Sequence, residues 1–237
     1  MLDLKGNRIT YFGHSTFSLT TPSGQVALLD PWVTTNPRCP ESLKKLTRLD
    51  AIFLTHAHTD HMGDLLALAK QFRPKLAATF ETCLWLAGKG FEKEIAPMNK
   101  GGAQQIGEFG ITMTHAMHSN SIDENGVRFY GGEPAGFIVR LPGGVAIYHA
   151  GDTALFGDMK LIAELYQPQI AMLPIGDLFT MGPREAAYAA RFLAVKHVIP
   201  MHYATFPMLT GTPEVLRQET KDIPGFTVHA LKPGESL

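Results

Sequence analysis

Ala51-Ile52-Phe53-Leu54-Thr55-His56-Ala57-His58-Thr59-Asp60-His61 is the stretch that frames the rest of the chain. Its first half is apolar and reads as a strand. The strand runs straight into three imidazoles and a carboxylate. Neutral imidazole and carboxylate are the donors that zinc and its first-row neighbours favour. At this chain's own His and Asp frequencies the pattern arises by chance in about one such sequence in a thousand. In extended backbone His56 and His58 project to one side and can share a metal. Asp60 and His61 come after the strand, where a turn of the chain lets them serve a second.

Further donors follow other apolar runs. His118 follows a strand at 111–114, Asp152 one at 145–148 and His202 one at 196–200. Strands hold loops in place and loops carry chemistry. Donors at several strand ends therefore point to one shared site at one sheet edge. Seven candidates, His56, His58, Asp60, His61, His118, Asp152 and His202, exceed the needs of one tetrahedral ion and fit two.

The remaining pattern sets the fold class. Short strands at 9–12, 16–19 and 26–29 surround the turn signal Thr21-Pro22-Ser23-Gly24, and Asp30-Pro31-Trp32 stops the last of them. Helical spacing appears at 62–72, 81–87, 159–166, 183–194 and 213–221, alternating with strands. The segments 120–130 and 179–182 read as loops that would set specificity. Early hairpins count against a doubly wound parallel sheet, because parallel pairs need long crossovers. Two sheets with helices outside fit this order. No linker interrupts the 237 residues, so residues 1–237 are expected to form a single domain.

Composition narrows the function classes. Hydrophobic residues make up 45% and charged residues 18%, an ordinary globular balance. The net charge of −1, without a basic block, argues against a nucleic-acid partner. Cys39 and Cys83 lie far apart, which speaks against a disulfide framework and for a reducing compartment. No apolar run reaches membrane-spanning length, and the N-terminus lacks a signal pattern. The expectation is a cytoplasmic protein without a membrane partner, with a homo-oligomer left open.

The segment His56-x-His58-x-Asp60-His61, then His118, Gly151-Asp152-Thr153 and His202, resembles the metallo-β-lactamase superfamily. Gly13-His14-Ser15, Tyr148-His149-Ala150-Gly151-Asp152-Thr153, Phe179-Thr180-Met181-Gly182-Pro183 and Pro200-Met201-His202-Tyr203 resemble its bacterial metal-dependent hydrolase branch, akin to the ascorbate-phosphate lactonases. The resemblance spans nearly the whole chain. It implies an α/β fold, a four-layer αββα metallo-β-lactamase-like sandwich with metals at one edge. It assigns His56, His58 and His118 to one ion and Asp60, His61 and His202 to another, with Asp152 bridging. His115 competes with His118 for its place. His118-Ser119-Asn120 fits the family's small-residue loop better, which leaves His115 as a strand-end or supporting residue. His58 stands where redox members carry Glu, which favours hydrolysis, and the long RNA-gripping arm of nuclease members has no counterpart.

The implied cofactors are two divalent metal ions, zinc first, with manganese, nickel or iron suited to the same donors. The implied activity is a metal-dependent hydrolase, in which hydroxide held by both ions attacks a small-molecule ester, lactone or phosphodiester and Asp60 acts as the catalytic carboxylate. A nuclease or phosphodiesterase of the same fold and a non-catalytic metal-bound binding module are the alternatives. His14 reads either as a turn residue bonding backbone or as part of the site rim, and Asp177 either as pocket lining or as a turn former. His149 reads as supporting or core, and His197 and His229 as ordinary strand residues.

Overall fold

A computed structural model describes residues 2–237. The first half builds a six-stranded sheet whose strands lie side by side in chain order. They are β1 (Arg8–Gly13), β2 (Thr16–Thr20), β3 (Val26–Leu29), β4 (Ala51–Phe53), β5 (Lys75–Thr79) and β6 (Ile95–Met98). The first two joins are antiparallel and the last three parallel. The helices α1 (Thr59–Met62), α2 (Leu65–Phe72) and α3 (Phe80–Ala87) belong to this half.

Strand periodicity divides its apolar side chains between two cores. Ala27, Leu29, Ala51 and Phe53 face the second sheet. Leu28, Ile52 and Leu54 face the other way, onto Leu65, Leu68, Cys83 and Leu86 of α2 and α3.

The second half builds a seven-stranded sheet. Its members are β7 (Ala103–Ile106), β8 (Phe109–His115), β11 (Ala135–Leu141), β12 (Val145–His149), β13 (Ile170–Pro174), β14 (His197–Met201) and β15 (Thr227–Val228). The order across the sheet is β15-β14-β13-β12-β11-β8-β7. The four strands from β12 to β15 run parallel, each return passing through α4 (Met159–Tyr166), α5 (Pro183–Phe192) or α6 (Pro213–Glu219). Met159, Ile162, Ala186, Ala187 and Leu216 seal those helices onto the sheet. The result is helices, sheet, sheet, helices, the αββα sandwich expected from the sequence. No helix among the described residues is long and apolar enough to cross a membrane.

Two segments differ from their sequence reading. The helical run at 62–72 breaks at Gly63-Asp64, because the Asp64 carboxylate turns away to accept the amides of Val33 at 2.6 Å and Thr34 at 2.8 Å. The segment at 120–130 is not an open loop but a hairpin of β9 (Ser121–Glu124) and β10 (Val127–Tyr130). Its turn is Asn125-Gly126, with φ of 51° and 77°, the pairing that a tight hairpin turn requires. β6 and β7, short and polar-flanked, had no sequence signal strong enough to read.

Pairing direction decides where the site can form. β1 and β3 both run antiparallel to β2, and β8 and β12 both run antiparallel to β11. The C-terminal ends of β1, β3 and β4 therefore share one edge of their sheet, and those of β8, β12, β13 and β14 share one edge of theirs. The amide of Ala135 at the start of β11 donates to the Thr55 carbonyl just past β4 at 3.0 Å, so the two edges coincide.

Phe53 holds the sheets together beneath that edge, with ring centroids 5.8 Å from Phe109 and 6.0 Å from Phe137. Phe53→Ala is expected to cost about 3–5 kcal/mol in denaturant unfolding. A loss below about 1 kcal/mol would mean that the sheets do not rely on this contact.

Candidate metal centre

The strand β4 ends at Phe53, and the chain passes through a bend at Thr55 to reach His58, whose φ and ψ of −65° and 150° are extended. His56 and His58 thus project together, with His56 Nε2 3.1 Å from His58 Nδ1. Helix α1 then turns the chain, its first bonds running from the His61 and Met62 amides to the His58 carbonyl. That turn lays His61 beside His56, with ring centroids 4.1 Å apart.

The other strands deliver the remaining donors. The chain leaves β12 through Gly151, whose φ of +62° and 2.5 Å clearance to the Ala135 carbonyl exclude a side chain, and so places Asp152 at the centre. Asp152 Oδ2 lies 2.9 Å from His202 Nε2, 3.3 Å from His61 Nε2, 3.7 Å from His118 Nε2 and 4.0 Å from His56 Nε2. Asp60 Oδ2 lies 3.9 Å from both His61 Nε2 and His202 Nε2. Donor atoms of His56, His58 and His118 form one group within 4.8 Å of one another. His14, Asp60, His61 and His202 form a second group, and His56, His61 and Asp152 a third that links them. All seven residues singled out as candidates therefore lie together. His115 does not join them: it is exposed on the far side of its strand end, against Phe156 and Lys100.

The cluster has the chemistry of a cation site. Asp152 Oδ1 and His61 Nε2 are buried and lack hydrogen-bond partners, an arrangement that is costly unless something else satisfies them. The close approach of His56 Nε2 to His58 Nδ1 suits two lone pairs aimed at one ion.

Burial pushes His56 well below the ordinary imidazole range and lowers His58 and His118, keeping them in the neutral form that can coordinate. Burial would also lower His61, but Asp152, Asp60 and Asp30 around it outweigh that and hold it well above the usual value. Burial would raise Asp152, yet the imidazoles of His202 and His61 hold it well below the usual carboxylate range. Asp60 is lowered against its burial by His61 and His14.

Two supporting residues escape the sequence reading of the site, and a third occupies a position that reading leaves open. The first is Asp30, fully buried at the end of β3, where Asp-Pro reads simply as a strand stop. Its Oδ2 accepts from His61 Nδ1 and from the Thr55 hydroxyl, both at 2.8 Å, and Oδ1 accepts from the Thr55 amide at 2.8 Å. The Thr55 hydroxyl, having donated to Asp30, accepts from His56 Nδ1 at 3.0 Å. One carboxylate thus fixes the tautomers of His56 and His61, leaving both Nε2 lone pairs toward the centre.

The second is Asn120. Its carbonyl oxygen accepts from the Ala57 amide at 2.7 Å and its amide donates to the Gly131 carbonyl at 2.8 Å, pinning the His118 loop to the His56 segment. The third is His14, whose side chain bonds other side chains of the site and not backbone. It occupies a turn with φ of 57°, and its fully buried ring donates from Nε2 to Asp60 Oδ2 at 3.0 Å and accepts at Nδ1 from the Thr205 hydroxyl at 2.9 Å.

Elsewhere, His149 is buried and joins the Ser15 carbonyl to the Gly151 amide. Asp177 is a turn residue, exposed, with φ of 66° and its side chain on the Leu178 amide. His197 and His229 pair with each other at 3.1 Å.

Residues 26–203 match the profile of the beta-lactamase superfamily domain. A UPF0173 metal-dependent hydrolase of Koribacter versatilis is 49% identical over 235 residues, 99% of each chain. The chain belongs to this family of metal-dependent hydrolases within the beta-lactamase superfamily. A family member from Rubrobacter xylanophilus is 49% identical over 236 residues, 99% of this chain and 97% of its own. Among solved structures, Igni18, a metallo hydrolase from the hyperthermophilic archaeon Ignicoccus hospitalis, superposes with a TM-score of 0.86 at 35% identity, over 98% of this chain and 97% of that one. The metallo-beta-lactamase fold protein YhfI of Bacillus subtilis, with a TM-score of 0.73 at 16% identity over 98% and 99% of the chains, shares the fold.

Asp30→Asn is expected to weaken metal affinity by about 10–100-fold in chelator competition, because one of its bonds to the imidazole network reverses polarity. Unchanged affinity would remove Asp30 from the site. Asp152, Asp60 and Asp30 raise the proton affinity of His61, so a proton competes with the metal for its Nε2. Metal uptake should therefore release a proton and weaken as pH falls. Calorimetric heats that do not vary with buffer ionisation enthalpy would contradict this.

Proposed function

We propose that the chain hydrolyses a small-molecule ester, lactone or phosphodiester with two divalent ions, zinc first, with manganese, nickel or iron compatible with the same donors. The observation that supports it is the single Asp152 oxygen flanked by the Nε2 atoms of His56, His61, His118 and His202 at 2.9–4.0 Å. His56, His58 and His118 would hold one ion and Asp60, His61 and His202 the other, with Asp152 shared. Such a pair supplies an ionised water at neutral pH and polarises the carbonyl or phosphoryl oxygen under attack.

The chain's own residues do the positioning. Asp60 keeps 29% of its side chain exposed, whereas Asp152 and Asp30 keep 3% and 0%. It is the carboxylate that meets solvent, and His14 holds one of its oxygens. In this reading it orients the attacking water and takes its proton. His58 and His118 are likewise only part-buried, so the substrate enters across these three side chains. No protein nucleophile is called on. Burial pushes the Cys39 and Cys83 thiols up to about 11, and both are unpaired, which favours a cytoplasmic setting.

Elemental analysis of the purified protein should give close to two metal equivalents per chain. A screen of esters, lactones and phosphodiesters with each metal restored should then identify turnover. Asp60→Asn should keep the fold and bind the second ion more weakly, while kcat at saturating metal falls by about 10²–10⁴-fold. A fully metallated Asp60→Asn protein with undiminished turnover would overturn the role of Asp60, and a metal-loaded wild type inert across the screen would overturn the activity.

A further inference from the structure

We propose that the β9–β10 hairpin walls the substrate cleft and that Arg128 receives an anionic group, carboxylate or phosphate, of the molecule hydrolysed at the metal centre. This assignment rests on the hydrolytic reading above and adds the substrate's charge to it.

A cavity of about 440 Å³ opens onto His58 and Asp60 and is closed on its far side by Ser119, Ser121, Asp123 and Arg128. A second, of about 210 Å³, shares Thr59 and Asp123 with it and is walled by Met62, Leu66 and Trp85. The two cavities adjoin at Thr59 and Asp123, the first lined by the candidate metal donors His58 and Asp60 and the second by the apolar Met62, Leu66 and Trp85. Among the described residues Arg128 is the only Lys or Arg in the walls of either cavity.

The hairpin is held in place. Ile122 is buried at 1% exposure, and Glu124 accepts from Trp85 Nε1 at 3.0 Å and from the Lys89 ammonium, tying β9 to α3. Asn120 secures its root to the His56 segment.

Arg128 stands directly opposite Asp123 in the hairpin register. Its Nε donates to Asp123 Oδ1 at 2.7 Å and its Nη2 to Oδ2 at 3.0 Å. That grip orients the planar fork while leaving Nη1 free of protein partners. Arg128 is 74% exposed and Asp123 41%, and an ion pair so open to water adds little to folding. What the pair does is hold the guanidinium in the wall of the cavity that His58 and Asp60 also line. An oxyanion a few bonds from the scissile group satisfies it, and a short apolar group fills the space beside Met62 and Trp85.

Steady-state kinetics of the metal-loaded full-length protein on two matched esters tests this, using 4-nitrophenyl hydrogen succinate and neutral 4-nitrophenyl butyrate. Arg128→Gln is expected to raise KM for the succinate ester by about tenfold, the scale of one charge-assisted contact, with kcat and both butyrate parameters little changed. Asp123→Asn leaves the cation in place and should keep the preference for the anion. If the pair merely staples the hairpin, both variants will act alike on both esters, and the proposal falls.

Inorganic phosphate binding, followed by NMR titration of the same proteins, supplies a readout free of turnover. About tenfold weaker binding in Arg128→Gln but not in Asp123→Asn supports the anion site, even should neither ester be hydrolysed, in which case ester hydrolysis and not Arg128 is at fault. Equal phosphate affinity in wild type and Arg128→Gln overturns it.

Discussion

The buried carboxylate of Asp30 is the contact on which the centre depends. It stands at the end of one strand and bonds to two imidazoles that follow the next, His61 directly and His56 through the Thr55 hydroxyl. A histidine ring can offer either nitrogen, and nothing in the ring itself chooses. The choice is made by what the other nitrogen bonds, so a single oxygen pair behind β3 and β4 decides that both Nε2 atoms face the middle of the site. Since β3 and β4 are parallel neighbours with Leu29 opposite Phe53, the fold brings Asp30 beside Thr55 as a consequence of sheet register.

The same edge stores local strain. His14, Asp30 and His202 all have positive φ, at 57°, 48° and 56°, a region that non-glycine residues visit sparingly. Each directly follows a strand, His14 after β1, Asp30 after β3 and His202 after β14. The His202 amide bonds the His14 carbonyl at 2.8 Å, so strands from opposite sheets brace one another where the backbone is most bent. The sandwich core beneath, with Phe53 between Phe109 and Phe137, supplies the packing that tolerates these conformations.

How far the sequence could be read follows from the range of each signal. The strand at 51–55 and its His/Asp continuation are contiguous, so they were legible together. His118, Asp152 and His202 were legible because each donor type ends an apolar run, and the resemblance supplied the context that singled them out. The hairpin at 121–130 was legible in principle through Asn125-Gly126, but each flank is only four residues long and mostly exposed, so little buried face accompanies the turn. The helix break at Gly63-Asp64 was not, because it is caused by amides about 30 residues earlier.

What the sequence determined by itself is the kind of protein: donor types, their position after strands, and the hairpin and crossover pattern of an αββα sandwich. These are local properties, carried by spacing and periodicity. Only the tertiary structure decided which oxygen faces which nitrogen. Asp30 and His61 are 31 residues apart, His14 and Thr205 are 191, and Asn120 and Ala57 are 63. At each of these positions an Asp-Pro stop, a Gly-His turn or a loop asparagine has an ordinary local explanation. Hydrogen bonds between distant strands leave no trace in spacing, because they come into being only when the two sheets close on a common edge.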